Sequence, residues 1–407
     1  MGPHRGSQVA LKKEQKSDTV WDMVRPYEES HPWLRFHYDL RQLGWRDWLA
    51  IGEIRSKCEH LSWVPLRPEA AAELHRLYFA KGVHATTAIE GNTLTEHEVR
   101  ARLDGKAVSP PSKAYLEREI DNVARVCNAI MDEASIDGEL TVSQILGYHR
   151  SLMEGLPAEP HVEPGKTRTY AVGVAAYRAA PAVDVDHLMD RLVGWLNLPD
   201  FRPADGDRIA FGFLRAVLAH LYIAWIHPFG DGNGRTARLL EFYILVGAGV
   251  PSPAAHLLSN HYNETRAAYY RELDRASKTG DPTEFLRYAI QGMVDGLRRQ
   301  VERIREQLVA VTWENFVHEA VPGTSERASR QRHLLIDLAR ASAPIAASRI
   351  IDLSTRVAAH YAQATSKTLH RDLNALVSAE LLRREPGGYV ANVDRLRPYL
   401  PRRAAAS

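Results

Sequence analysis

From Pro68 to about Val309 apolar residues recur every three or four positions: Ala72, Leu74, Leu77 and Ala80, then Ile120, Val123, Val126 and Ile130, then Leu188, Leu192, Trp195 and Leu196. That spacing puts them on one face of successive amphipathic helices, so the chain is predicted to be mainly α. One stretch breaks the period. Residues 165–181 place β-branched and aromatic side chains between Gly and Pro punctuation, which predicts a short β-hairpin inside a helical domain. Five of the eight tryptophans, Trp21, Trp33, Trp45, Trp48 and Trp63, predict an aromatic-pinned N-terminal lobe over residues 1–66, with residues 1–20 frayed. After a long helix through about 299–313, Pro322-Gly323-Thr324-Ser325 predicts a linker. Beyond it the pattern predicts three helices, 330–341, 347–353 and 367–379, then a hairpin turning at Pro386-Gly387-Gly388. Three helices followed by a β-wing predict a winged helix over 324–407, behind a main body over 67–313.

Composition fits such a chain. At 407 residues, 45% hydrophobic and 25% charged, it has room for two or three domains and lacks the bias of disordered or collagenous sequences. Apolar runs look brief and broken, short of the ~20 residues that cross a bilayer, and the polar N-terminal stretch has no signal-peptide core. Gly6 stands where N-myristoylation wants Ser or Thr. A cytoplasmic protein with no membrane partner is the expectation. Cys58 and Cys127 are too few for a cysteine zinc site and suit a reducing compartment.

Net charge is +2 but unevenly spread. Residues 323–407 hold 14 Lys and Arg against 7 Asp and Glu, a net +7, whereas the first 322 hold 38 against 43, a net −5. A basic tail on a slightly acidic body suggests two jobs, one of them with a polyanion.

The chemistry concentrates in His227-Pro228-Phe229-Gly230-Asp231-Gly232-Asn233-Gly234-Arg235-Thr236-Ala237-Arg238. An apolar helix runs into His227, and a Gly-rich loop then opens a second helix. Unsatisfied backbone N–H groups and the positive end of the helix dipole make such a loop an anion site. Arg235 and Arg238, three apart at a helix start, oppose that dipole unless they serve an anion. Asp231 is a hard oxygen ligand suited to Mg²⁺. His227 is the one group in the loop that can take a proton near pH 7. Base, metal ligand, phosphate cradle and cations together fit phosphoryl or nucleotidyl transfer.

This loop resembles, with no departure, the His-x-Phe-x-(Asp/Glu)-Gly-Asn-(Gly/Lys)-Arg-x-x-Arg signature of the Fic family, enzymes that move AMP from ATP onto protein hydroxyls. The resemblance covers about residues 65–300. It implies a Fic-type helical bundle in which His227 deprotonates a target Ser, Thr or Tyr, and Gly232, Asn233 and Gly234 hold the triphosphate. Asp231 would carry the Mg²⁺, Arg235 and Arg238 the β- and γ-phosphates, and Phe229 would anchor the loop. Gly234, where a phosphotransferring branch carries Lys, favours AMP as the group moved. The hairpin at 165–181 looks like the family's flap, which pairs with an extended target segment. Tyr269 and Tyr270 fall in the segment whose tyrosines border adenine, although His261 and Thr265 depart from the family pattern there.

Upstream, Thr86-Thr87-Ala88-Ile89-Glu90-Gly91-Asn92 places Thr86 and Glu90 on one helix face before a Gly-Asn stop. It is similar to the family's (Ser/Thr)-x-x-x-Glu-(Gly/Asn) inhibitory motif, on a helix near 81–91. The resemblance implies that Glu90 pairs with Arg238 and displaces the γ-phosphate; in some relatives the same glutamate supports removal of AMP. A homodimer is also implied.

The segment 366–376 shows a polar face opposite Leu369, Leu373 and Leu376, as a DNA-recognition helix does. DNA binding through 323–407 is therefore a second expectation. It supports an alternative function, a nucleotide-sensing DNA-binding regulator with a weakly active core. A third reading keeps the loop chemistry with another donor, such as UTP.

Overall fold

The computed structural model describes residues 24–106, 109–134, 138–174, 177–201, 207–362 and 366–399. Helices dominate, and two short antiparallel hairpins supply the strands found among the described residues. The Arg208–Ile226 helix forms the axis, with fifteen of its nineteen residues buried. By length and composition this helix could cross a membrane, with a mean hydropathy of 1.8, but 83% of that stretch lies buried inside the protein. The expectation that every apolar run falls well short of that length is thus corrected. Its polar interruptions, Arg215 and His220, are themselves buried. The Asn233–Gly247 helix packs along it, and Ala114–Glu133, Val142–Met153, Val185–Leu196 and the first half of Thr283–Ala320 complete the bundle.

The N-terminal segment is not a separate lobe. Tyr27, Leu34, Phe36, Ile51, Ile54 and Cys58 are buried in the same apolar core as the central helix. Its tryptophans do not pin it uniformly. Trp33 and Trp48 pack against the core, whereas Trp45 and Trp63 are 69% and 86% exposed, and Trp21 lies outside the described residues. The boundary expected at 313 also moves. The Thr283–Ala320 helix is continuous for 38 residues, about 57 Å at 1.5 Å per residue, and its Trp313 and Val317 belong to a second core with Leu334, Leu373 and Leu382.

That second body contains the Glu326–Leu338, Thr355–Tyr361 and Ser366–Ser378 helices and a hairpin of Leu382–Glu385 with Gly388–Ala391. The helix expected at 347–353 is a 3-10 segment, Ala347–Asp352. The helix after it was missed; Ser354 caps it by accepting from the Val357 N–H. Gly388 is required at the turn. Its φ is 153°, and a Cβ there would lie 2.1 Å from the Ile345 carbonyl oxygen, which bonds the Tyr389 N–H at 2.9 Å.

Candidate active site

The central helix ends on His227, whose backbone is left-handed with φ 51° and ψ 62°. That region is sparsely populated by L side chains and persists only when neighbours hold it. Arg168 does so. Its Nε donates to the His227 carbonyl at 2.7 Å, its Nη2 to Ala180 and Ile226 carbonyls, and its backbone N–H to the Pro228 carbonyl at 2.9 Å. Of these, the Ile226 and His227 carbonyls are ones that a helix C-terminus leaves without partners. Arg168 comes from the first part of the predicted hairpin, which is not strand. Pairing is confined to Gly173–Val174 with Tyr177–Arg178, because 165–172 instead packs against the loop. Tyr177 ties the short hairpin down, its hydroxyl donating to the Trp225 carbonyl at 2.6 Å.

Within the loop, Phe229 is fully buried and stacks on His149 with centroids 3.7 Å apart. His149 Nδ1 accepts from the Gly165 N–H at 2.9 Å, which places the ring proton on Nε2, and Nε2 donates to the Asp231 carbonyl at 3.0 Å. Burial lowers its pKa to about 4, so it remains a neutral brace. Asn233 is also a brace. Its Oδ1 accepts from the Phe229 N–H and its Nδ2 donates to the Phe229 carbonyl, at 2.9 and 2.8 Å. Both ends of the amide are thus engaged by the Phe229 backbone, while Asn233 itself lines the cavity. Gly232, at φ 77°, turns the chain into the next helix, and its N–H donates to Asp231 Oδ1 at 2.6 Å.

The loop opens on a cavity of about 890 Å³ lined by His227, Gly230 to Gly234, Tyr177, Trp225, Tyr269, Tyr270 and Glu90. Burial, outweighing a hydrogen bond to the Ala224 backbone, lowers the His227 pKa to about 4, so the imidazole is neutral near pH 7. Asp231 presents a carboxylate 51% exposed at the rim, 3.3 Å from Arg235.

The two arginines part ways. Arg238 is fully buried, and its Nη2 donates to Glu90 Oε1 at 2.6 Å and to the Thr86 carbonyl at 2.9 Å. Burial opposes ionisation of Glu90, but the charge and hydrogen bond of Arg238 overcome it and hold the carboxyl below its ordinary pKa. Glu90 follows the Pro68–Ala88 helix, where Gly91 turns left-handed at φ 103° and the Asn92 N–H reaches back to the Thr87 carbonyl. Arg266 and Tyr270 both donate to the Ile89 carbonyl, clamping this corner. Gly234 is needed opposite it: a Cβ there would lie 2.2 Å from Glu90 Oε1.

Arg235 does not reach the cavity wall. Its Nη1 donates to Glu119 Oε1 at 2.8 Å, and Glu119 Oε2 accepts from Asn92 Nδ2 at 2.8 Å. In this arrangement Arg235 braces the loop from behind, between Glu119 and Asp231. Tyr269 is likewise mostly in the core: it is buried, with its hydroxyl 2.9 Å from His220 Nε2. Tyr270, 44% exposed, turns its ring toward the cavity under the Arg266 guanidinium.

Glu119, His149 and Arg168 escaped sequence reading. Glu119 falls in the apolar stripe of Leu116, Ile120 and Val123, and His149 in that of Ile145 and Leu152, so a polar residue on a buried face was an available signal. Arg168 offered none.

The comparisons agree with this geometry. Residues 139–245 match the Fic/DOC family model. Protein adenylyltransferase fic-1 of Caenorhabditis briggsae and that of Caenorhabditis elegans are each 32% identical over 256 residues, 62% of this chain and 46% of theirs. Protein adenylyltransferase Fic of Nematostella vectensis is 32% identical over 210 residues, 51% of this chain and 45% of its own. The chain thus spans about half the length of these relatives. The solved Fic-1 structure from C. elegans, residues 134–508, superposes with a TM-score of 0.52 at 28% identity, covering 64% of this chain and 73% of that one. A Fic family protein from Desulfovibrio desulfuricans G20 shares the fold over 82% of this chain and 91% of its own, with a TM-score of 0.50 at 23% identity. The signature loop, the central helix and most of the helix after it lie within the span, residues 139–245, that matches the Fic/DOC family model.

Proposed function

We propose that this protein is an adenylyltransferase that moves AMP from ATP onto a Ser, Thr or Tyr hydroxyl of a target protein and restrains itself through Glu90. The observation that carries the reading is the neutral His227 at the wall of a cavity whose floor is the N-terminus of a helix. The triphosphate would lie against the helix N-terminus at Asn233 and Gly234, where helix-end donors and dipole favour anions. The target oxygen attacks the α-phosphorus, the bond to the α–β bridging oxygen breaks, and pyrophosphate leaves. The hydroxyl proton passes to the His227 ring. Tyr270 supplies an aromatic wall for adenine.

Mg²⁺ fits the donor set. No group of three metal-binding side chains gathers among the described residues, and one half-exposed carboxylate, Asp231, suits a cation that keeps waters and takes its other ligands from phosphates. Bound there, Mg²⁺ would neutralise phosphate charge. Arg235 orients Asp231 from behind. The hairpin Gly173–Arg178 borders the cavity and would receive the target segment along its edge.

Glu90 occupies the position from which Arg238 would otherwise meet the terminal phosphate. Its release therefore frees a guanidinium for a bidentate phosphate contact. The test is auto-modification with labelled ATP and Mg²⁺. Glu90→Gly is expected to raise labelling about tenfold or more, and His227→Ala in that background to lower it by about 10²–10⁴. Equal labelling by all three proteins refutes the assignment.

A further inference from the structure

The excess charge of the second body is distributed in a way its total conceals. Most of its arginines are answered by acids: Arg330 by Asp372, Arg356 by Asp337, Arg383 and Arg397 by Asp394, and Arg395 by Glu380. Lys367, Arg371 and Arg384, like Arg332 and Arg349, form no ion pair with an acid among the described residues, and the first three meet on one face. Lys367, Arg371 and Asn374 stand at i, i+4 and i+7 of the Ser366–Ser378 helix and are exposed. Arg384 reaches them from the hairpin, its Nη2 donating to Asn374 Oδ1 at 2.7 Å while its guanidinium lies over the Tyr389 ring.

The same helix turns its acid inward. Asp372 is fully buried, accepting from Arg330 Nε at 2.7 Å, Gln331 Nε2 at 3.1 Å and the Tyr361 hydroxyl at 3.2 Å. Together with buried Leu369, Leu373 and Leu376, this pins the helix in one rotation. The outward face is left with Ser366, Lys367, His370, Arg371 and Asn374, all cationic or hydrogen-bonding and none acidic. Glu385, on the exposed strand beside it, is 3.6 Å from Arg383.

We infer that this face is a docking surface for duplex DNA, with the Ser366–Ser378 helix in the major groove and the hairpin along the backbone. Charge complementarity chooses the occupant. Thirteen residues make about 20 Å of helix, and a major groove about 12 Å wide admits it. Lys367 and Arg384 are placed for phosphates. Arg371 and Asn374, midway along the helix, are the types that pair with guanine and adenine edges.

Fluorescence anisotropy of the full chain with a labelled, mixed-sequence duplex tests this. The two phosphate contacts, Lys367 and Arg384, predict a log-log salt slope near −1.8, so affinity should fall on the order of twelve-fold between about 50 and 200 mM salt. Lys367→Ala/Arg371→Ala should weaken low-salt binding and, with one phosphate contact gone, make the slope shallower by about 1. Arg395→Ala, whose charge Glu380 already answers, should change neither. No binding of the duplex at about 50 mM salt overturns the inference, as does an unchanged slope in the double variant. Equal affinity for single-stranded RNA also overturns it, since that would be charge attraction without groove recognition. AMP transfer by the double variant is a separate readout, so failure here leaves the transferase reading standing.

Discussion

Arg235 and Arg238 sit three residues apart on one helix turn, both buried and both paired with a glutamate, yet the two pairs are built for different ends. Glu90 lies on a chain corner at the edge of a large cavity, with its side chain 30% exposed. Glu119 lies mid-helix in an apolar stripe, where burial raises its pKa even though Arg235 and Asn92 pull it down. One pair can open without disturbing the core and the other cannot. The difference teaches that two arginines one helix turn apart can be tied to the fold in unlike ways: one guanidinium is held at the edge of the cavity, and the other holds the loop.

The largest effect should come from breaking the closed pair. Glu119→Ala leaves buried Arg235 with only the half-exposed Asp231 as an acidic partner, a loss of up to about 3–5 kcal/mol of stability, read by urea or thermal denaturation. Glu119→Gln, which keeps hydrogen-bonding capacity toward Arg235 and Asn92, should cost less. A Glu119→Ala protein within about 1 kcal/mol of the parent would show that the two pairs are alike after all.

Next in size is the response to nucleotide. In Glu90→Gly the space vacated beside Arg238 opens on the cavity, so ATP should bind more tightly and stabilise more. At a hundredfold excess over Kd a ligand adds about 2.7 kcal/mol, and thermal shifts with ATP and Mg²⁺ should be larger for Glu90→Gly than for the parent. Glu119→Gln should show no such gain. If both variants gain equally, the role proposed for Arg238 is wrong.

Half of this comparison was legible in the sequence. The loop and the Glu90 motif are short contiguous strings whose chemistry follows from residue types in order, and the structure brings Glu90 to Arg238 across 148 residues. The partner of Arg235 lies 116 residues away with no motif around it. Its only trace is an acid at a helical position that should be apolar. Arg168 left less still, because a hairpin signal absorbed it: β-branched residues between Gly and Pro read as strand, while the segment's task is to answer the carbonyls at the end of the central helix. The domain boundaries failed for a related reason. Periodicity marks where helices are, but not that Thr283–Ala320 runs unbroken through two cores.

A smaller effect tests whether the open pair is held by shape as well as charge. In Gly234→Ala the added methyl would fall 2.2 Å from Glu90 Oε1, so the carboxylate must shift and the pair weaken. Labelling should rise severalfold, less than in Glu90→Gly, and Gly234→Ala should add nothing once Glu90 is gone. Non-additivity of that kind is what a double-mutant cycle detects in contacting residues. Independent, additive effects would mean that Gly234 serves only the nucleotide.

The smallest expected change is the most specific to His227. Its pKa in the folded protein lies near 4, below the ordinary 6.5, because burial disfavours the charged ring. A general base works only when unprotonated, so lowering its pKa extends the active range downward in pH. The transfer rate of Glu90→Gly, measured at saturating ATP, should stay flat from about pH 8 to pH 5 and fall as pH drops through about 4. An unperturbed histidine would already have lost half the rate near pH 6.5. Glu90 contributes a nearby negative charge that raises the His227 pKa, whereas Glu119 is not among the groups that shift it. Removing Glu90 should thus move the acid limb slightly lower still, and substituting Glu119 should leave it in place. A midpoint near 6.5 in Glu90→Gly would show that the ring is solvated once the corner opens, and would tie the buried state of the base to the closed pair.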